Sequence, residues 1–197
     1  MSSRVNQKER TRQAIVTAAR GLARSGGEVT MPAVAKAALV SEATAYRYFP
    51  DLASLLREAL AGVWPSPEVV LASVADSGDP VERVGCAAEA LLRHVLLYQG
   101  AVRAMIAATI TRPDEAVARP GHRFGLIDEA LRPLAAGTAG LAQLKRDLAV
   151  VISAEALFTL TDLCGLSPED AVASAVHTAR TLTQAATGRN RLAATRV

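Results

Sequence analysis

The chain has 197 residues, half of them hydrophobic and only 4% aromatic, with a net charge of +3. That is long enough to bury a core without a metal or disulfide staple, and apolar content resting on Ala, Leu and Val favours packed helices. The charged N-terminus argues against a signal peptide, and the longest charge-free stretch, 133–144, is short of the roughly 18 apolar residues a membrane span needs. The expectation is therefore an all-α, cytoplasmic protein with no membrane partner, no cofactor and no metal. Cys86 and Cys164 lack metal-ligand spacing and read as reduced, buried thiols. Residues 1–60 hold nine basic against five acidic residues, a net +4, and the remainder sums to −1. A basic head on a near-neutral body suits a phosphate-seeking module, although an ordinary solvated surface has the same balance.

Asn6 and Glu9 have capping-box spacing, and Ile15, Ala18, Ala19 and Leu22 recur on one face until Gly26-Gly27, which predicts a helix over 7–24. Thr30 caps a second, short helix in which Met31, Val34, Ala35 and Ala38 share a face. After Leu39-Val40, Ser41 caps a third helix that runs to Phe49, ahead of Pro50. Asp51 caps a fourth, with Leu52, Leu55, Leu56 and Leu60 turned inward. Two short helices joined by a three-residue turn behind a longer supporting helix have the layout of a helix-turn-helix.

The run Ser41-Glu42-Ala43-Thr44-Ala45-Tyr46-Arg47-Tyr48-Phe49-Pro50, with Thr30-Met31-Pro32-Ala33-Val34-Ala35 before it and Leu55-Leu56 after it, resembles the DNA-binding head of the tetracycline-repressor (TetR) family over about 10–60. The resemblance implies a three-helix helix-turn-helix head at 1–60 and a helical effector-binding and dimerisation body at 61–197. It implies a homodimeric transcriptional regulator, a repressor released from a pseudo-palindromic double-stranded operator by an unknown small-molecule effector. Carried over, it places Thr30 on a phosphate, Ser41 at the start of the recognition helix, Glu42, Ala43, Thr44, Tyr46 and Arg47 at the major groove or its edge, and Tyr48 at a backbone-contacting position. The chemistry is compatible: hydroxyls bond phosphate oxygens, a Tyr ring contacts a thymine methyl, and Arg binds guanine O6 and N7 with two bonds. Arg47 is read as the base reader; in the alternative, Tyr46, Tyr48 and Phe49 cap a small core and Arg47 is solvated. Ala45 and Phe49, four apart, read as core.

Three positions depart from the family pattern. Leu39 stands where Gly is usual, and a left-handed turn there costs an L-residue roughly 1 kcal/mol or more, so an altered turn is expected. Glu42 stands where Lys or Arg is common, and Leu52 where a phosphate-binding Lys is common, which lowers the expected non-specific affinity. The arm Arg4, Lys8, Arg10 and Arg12 could compensate or be merely solvated.

In the body, Asp79-Pro80-Val81-Glu82 opens a helix to about Tyr98, and a further helix covers 101–111. A loop with Pro113 and Pro120 follows, then a helix over 123–136 that Pro133 kinks or shortens. A long helix is predicted over 141–163, ending at Cys164-Gly165, and Ser167-Pro168-Glu169-Asp170 opens a last helix to about Thr187, where Gly188 releases a basic tail. His94, His122 and His177 lack metal spacing, no catalytic motif is present, and Glu155 and Asp162 read as a polar seam, so the chain is not expected to be an enzyme. Tyr98, Met105, Thr109, Glu155, Phe158 and Asp162 are candidate effector-pocket residues, with ordinary core or surface as the alternative. The resemblance implies that the last two helices pair with their two-fold mates. Leu141, Leu144, Leu148, Val151 and Ile152 form one stripe and Ala171, Ala175, Val176, Ala179 and Leu182 the other, with Leu144, Leu148, Val151, Ala175 and Ala179 expected at the interface; packing within one subunit is the alternative. A helical carrier or interaction module that no longer binds DNA is the competing function.

Overall fold

The computed structural model describes residues 2–111, 121–134 and 140–194, with side chains at 5–111, 121–134 and 140–188. All regular structure among them is helical, and the chain falls into two compact units. The first takes in the described residues of Met1–Trp64 and Leu96–Pro120, the second those of Pro65–Val95 and Gly121–Val197.

In the first unit, α1 (Ser2–Arg24) packs on α2 (Met31–Ala37) and α4 (Leu52–Ala59), α2 packs on α3 (Glu42–Tyr48), and α7 (Gln99–Thr111) packs on α1 and α4. Ile15, Val16, Ala19, Val34, Ala45, Phe49, Leu55 and Leu56 fill the core between them. Asn6 lies inside α1 rather than capping it. The other caps form as expected: Thr30 Oγ1 accepts from Ala33 N at 3.3 Å, Ser41 Oγ from Thr44 N at 3.2 Å and Asp51 Oδ1 from Ser54 N at 2.7 Å. Each satisfies an amide that the first helical turn leaves without a partner. Leu52, expected inward, is half-exposed. The turn after α2 is not altered by its leucine: Leu39 adopts φ 57°. Val40 N bonds Ala35 O at 3.0 Å and Leu39 N bonds Lys36 O at 3.2 Å, the paired bonds of a Schellman motif with leucine in the glycine place. Two backbones meet at Gly100 and Gly27, where a Cβ on Gly100 would overlap the Gly27 carbonyl oxygen. In this grouping α7 belongs with the first unit.

The second unit begins with α5 (Pro67–Val70) and a 3-10 turn (Ala72–Val74), then α6 (Pro80–Leu97). It continues with α8 (His122–Ala130), α9 (Leu141–Val151), α10 (Ala154–Phe158), a π turn (Thr159–Leu163) and α11 (Pro168–Ala194). Arg83 of α6 is fully buried and gathers two helix ends: its guanidinium donates to Val74 O at 2.7 Å, Ala75 O at 3.1 Å, Ala130 O at 3.2 Å and Glu129 O at 2.8 Å. These are carbonyls that a helix terminus cannot satisfy internally, and Glu129 Oε1 at 3.0 Å supplies the countercharge.

The single helix expected over 141–163 is broken. Ile152 leaves helical geometry, and Ser153 turns extended, donates to Val150 O at 2.7 Å and accepts from Ala156 N at 3.1 Å, so one serine closes α9 and opens α10. α8 ends before Pro133, a shortening rather than a kink, and the part of the expected helix at 135–136 lies outside the described residues, as does the loop at 112–120. α11 passes through Gly188 instead of stopping there. Cys86 is half-buried, whereas Cys164, expected in the core, is exposed at the end of the π turn.

α9 packs against α11 within the one chain. Leu144, Leu148, Ala175 and Ala179 are all buried at 3% exposure or less within the chain, whereas Val151 is half-buried and Val150 71% exposed.

Candidate nucleic-acid interface

α3 is seven residues long, too short to persist alone in water. It is held by its Ser41 cap, by Ala45 and Phe49 in the core, and by Pro50 beyond its end. With 3.6 residues per turn, this anchoring turns Glu42, Ala43, Tyr46 and Arg47 outward together, and all four are exposed. Thr44 and Tyr48 lie half-buried on the flanks. Thr44 Oγ1 sits 2.9 Å from Ser41 Oγ, closing a small hydroxyl network at the exposed helix start. The Arg47 guanidinium lies over the Tyr48 ring, 5.7 Å from its centroid, a cation-π contact that holds the cation toward the C-terminal end of the helix. Thr30 Oγ1 accepts from the backbone, which leaves its hydroxyl proton to donate outward.

The basic arm divides. Lys8 and Arg10 are exposed on α1, and the Arg4 side chain lies outside the described residues. Arg12 is engaged within the head: it pairs with both oxygens of Glu58, one of them at 2.6 Å, and its guanidinium stands 4.8 Å from the Phe49 ring centroid. Arg20 donates to Ala59 O at 2.8 Å. Sequence reasoning missed both contacts, because bonds between residues 39 and 46 positions apart leave no local pattern. Two of the head's cations thus brace α1 against α4 and the loop before it. Leu52, in the place of a phosphate-binding lysine, lines a groove of about 590 Å³ with Val29, Ala53, Ala104 and Ala108.

The candidate pocket residues fall in both units. Tyr98 is buried, and Thr109 Oγ1 donates to Met105 O at 2.9 Å, all in the first. In the second, Phe158 is buried, Glu155 pairs with Arg123 at 3.5 Å, and exposed Asp162 accepts from Thr161 at 2.8 Å. Burial holds the His94 imidazole below its ordinary pKa, with His122 adding to the effect, and burial likewise lowers His122. Among the described residues no group of three or more His, Cys, Asp or Glu is placed to hold a metal ion, and no helix is long and apolar enough to cross a membrane.

No curated protein matches the chain. Residues 15–59, which span the C-terminal part of α1 and all of α2, α3 and α4, match the model of the bacterial regulatory proteins of the tetR family. The head is thus similar to that of the tetR-family regulators, and the match supports a DNA-binding transcriptional regulator with its helix-turn-helix in α2 and α3.

Proposed function

We propose that this regulator is a repressor that binds a pseudo-palindromic operator as a homodimer and is released when a small-molecule effector binds its body. The observation that supports this reading best is the anchored α3, whose Glu42, Ala43, Tyr46 and Arg47 face outward as one surface. Thr30, Ser41, Thr44 and Tyr48 supply hydroxyls around it for phosphate oxygens, and Arg47 bonds a guanine edge. One short helix reads only a few base pairs, so useful affinity needs a second head on a second half-site. The effector must then favour one disposition of the two heads over the other, with a coupling of roughly 1–3 kcal/mol. Of the candidate pocket residues, Glu155, Phe158 and Asp162, which share the second unit, are proposed to contribute to its site.

The test compares binding to a preferred duplex and to random duplex. Arg47→Ala should cost about 1–3 kcal/mol on the preferred site only. Thr30→Val should weaken all duplexes evenly, and Thr30→Ser, which keeps cap and hydroxyl, should restore them. Equal loss on both duplexes for Arg47→Ala removes its base-reading role. A second reading, a helical carrier or interaction module that no longer binds DNA, is favoured by the diversion of Arg12 and Arg20 and by Leu52 in a lysine place. Footprinting of the full chain on the DNA upstream of its own gene separates the two, since only the regulator protects a discrete site.

A further inference from the structure

The outward face of α3 is chemically lopsided. At its C-terminal end Arg47 lies over the Tyr48 ring. Its N-terminal turn presents to solvent one carboxylate, Glu42, and one methyl, Ala43, with the half-exposed Tyr46 ring a turn further along. The hydroxyls of the flanking side chains Ser41 and Thr44 are bonded to each other, and Ser41 Oγ also accepts from the Thr44 amide. No cation stands in this first turn.

A carboxylate accepts hydrogen bonds and donates none. On the major-groove edge guanine offers two acceptors, adenine an acceptor beside its donor, and thymine an acceptor beside its methyl; cytosine alone offers a donor without an acceptor. Among the four bases, Glu42 therefore finds an uncompensated partner only in cytosine N4. Ala43 and the face of Tyr46 have no hydrogen bond to offer from their carbon atoms, and the matching feature on a base edge is the thymine methyl.

We infer that the head reads a half-site in which a cytosine lies against Glu42 and a neighbouring thymine places its methyl against Ala43 and Tyr46. This rests on the proposed DNA-binding role of α3 and specifies which sequence that helix selects. Base edges carry the recognition, while the phosphate attraction is reduced by Glu42 itself and by the internal engagement of Arg12 and Arg20.

Selection of the full chain against a random-sequence duplex pool, followed by titration of the enriched duplex, tests the inference. Enriched half-sites should share a cytosine with a thymine beside it. Glu42→Gln should shift the preference at the cytosine position to adenine, because an amide pairs with adenine N6 and N7 together, with roughly tenfold discrimination or more in each direction. Replacing that thymine by deoxyuridine, which removes only the methyl, should weaken wild type about fourfold and Ala43→Gly by less, since Tyr46 alone then meets the methyl. Enriched sites without the cytosine, an unchanged preference in Glu42→Gln, or wild-type binding indifferent to deoxyuridine overturns the inference while sequence-specific binding itself stands. A pool that yields no enriched sequence at all overturns the DNA-binding reading, and this one with it.

Discussion

Leu39 carries two costs at once. It holds φ 57°, in the left-handed region that disfavours a Cβ, and it leaves 93% of its side chain in water. The turn survives because the two Schellman bonds and the buried residues on either side determine it independently of what stands at that position. Leu39→Gly should relieve backbone strain of roughly 1 kcal/mol, partly offset by the greater freedom of glycine in the unfolded chain. The expected result is a thermal midpoint raised by about 2 °C, read by circular dichroism. A midpoint that falls would mean that the leucine contributes contacts of its own. Glu42 and Leu52, by contrast, impose no visible strain; what they alter is the charge presented to a phosphate backbone.

At the level of elements, Arg83 has the widest reach, since one guanidinium closes the end of α8 and the 3-10 turn after α5. Arg83→Met keeps most of the volume but takes the guanidinium donor from the Ala75 and Ala130 carbonyls, weakens the bonding of the Val74 and Glu129 carbonyls, and leaves the Glu129 carboxylate with Arg132 alone. It should destabilise the protein by about 3–5 kcal/mol, measured by urea unfolding; a loss under about 1 kcal/mol would show that water replaces the guanidinium there. His94 on α6 and His122 on α8 add a pH dependence. Both have folded pKa values below the ordinary one, so the unfolded chain binds more protons near and below about pH 6.5. Their effect is full stability at neutral pH and a loss as the pH falls through that region. His94→Gln should flatten the pH dependence of the urea midpoint between about pH 7 and 5; an unaltered slope would assign it to other groups. The caps at Thr30, Ser41, Asp51 and Ser167 were legible in the sequence because a cap is a contact over three residues. The inward side of α3 followed from the four-residue spacing of Ala45 and Phe49, whereas its outward set was implied by the resemblance. Ser153 was not legible, since a serine can lie inside a helix or divide it, and only the packing around Ile152 and Leu157 decides. Arg12 was open for a similar reason: its partner Glu58 is near only once α1 and α4 have met.

For the molecule as a whole, the burial of Leu144, Leu148, Ala175 and Ala179 inside one chain changes how dimerisation is to be probed. Ala175→Arg would force a charge into a closed core and should abolish folding rather than separate subunits. A proposed partner subunit must meet side chains still open, of which Val150 is one. Val150→Arg should leave the circular dichroism spectrum intact and yield a monomer by light scattering that binds a palindromic site weakly. A dimer that persists would place the two-fold elsewhere. The assembled dimer should set two recognition helices about 34–36 Å apart, one turn of duplex. Within the head's own unit, the glycine contact between α7 and the α1–α2 turn has a mechanical consequence. Side chains ordinarily act as cushions between helices, swivelling to absorb small slips. At Gly100 and Gly27 there is no cushion, so peptide bears directly on peptide. A slide of α7 along its axis is passed without play to the three residues that end at Thr30, and the hydroxyl proposed to meet a phosphate moves with it.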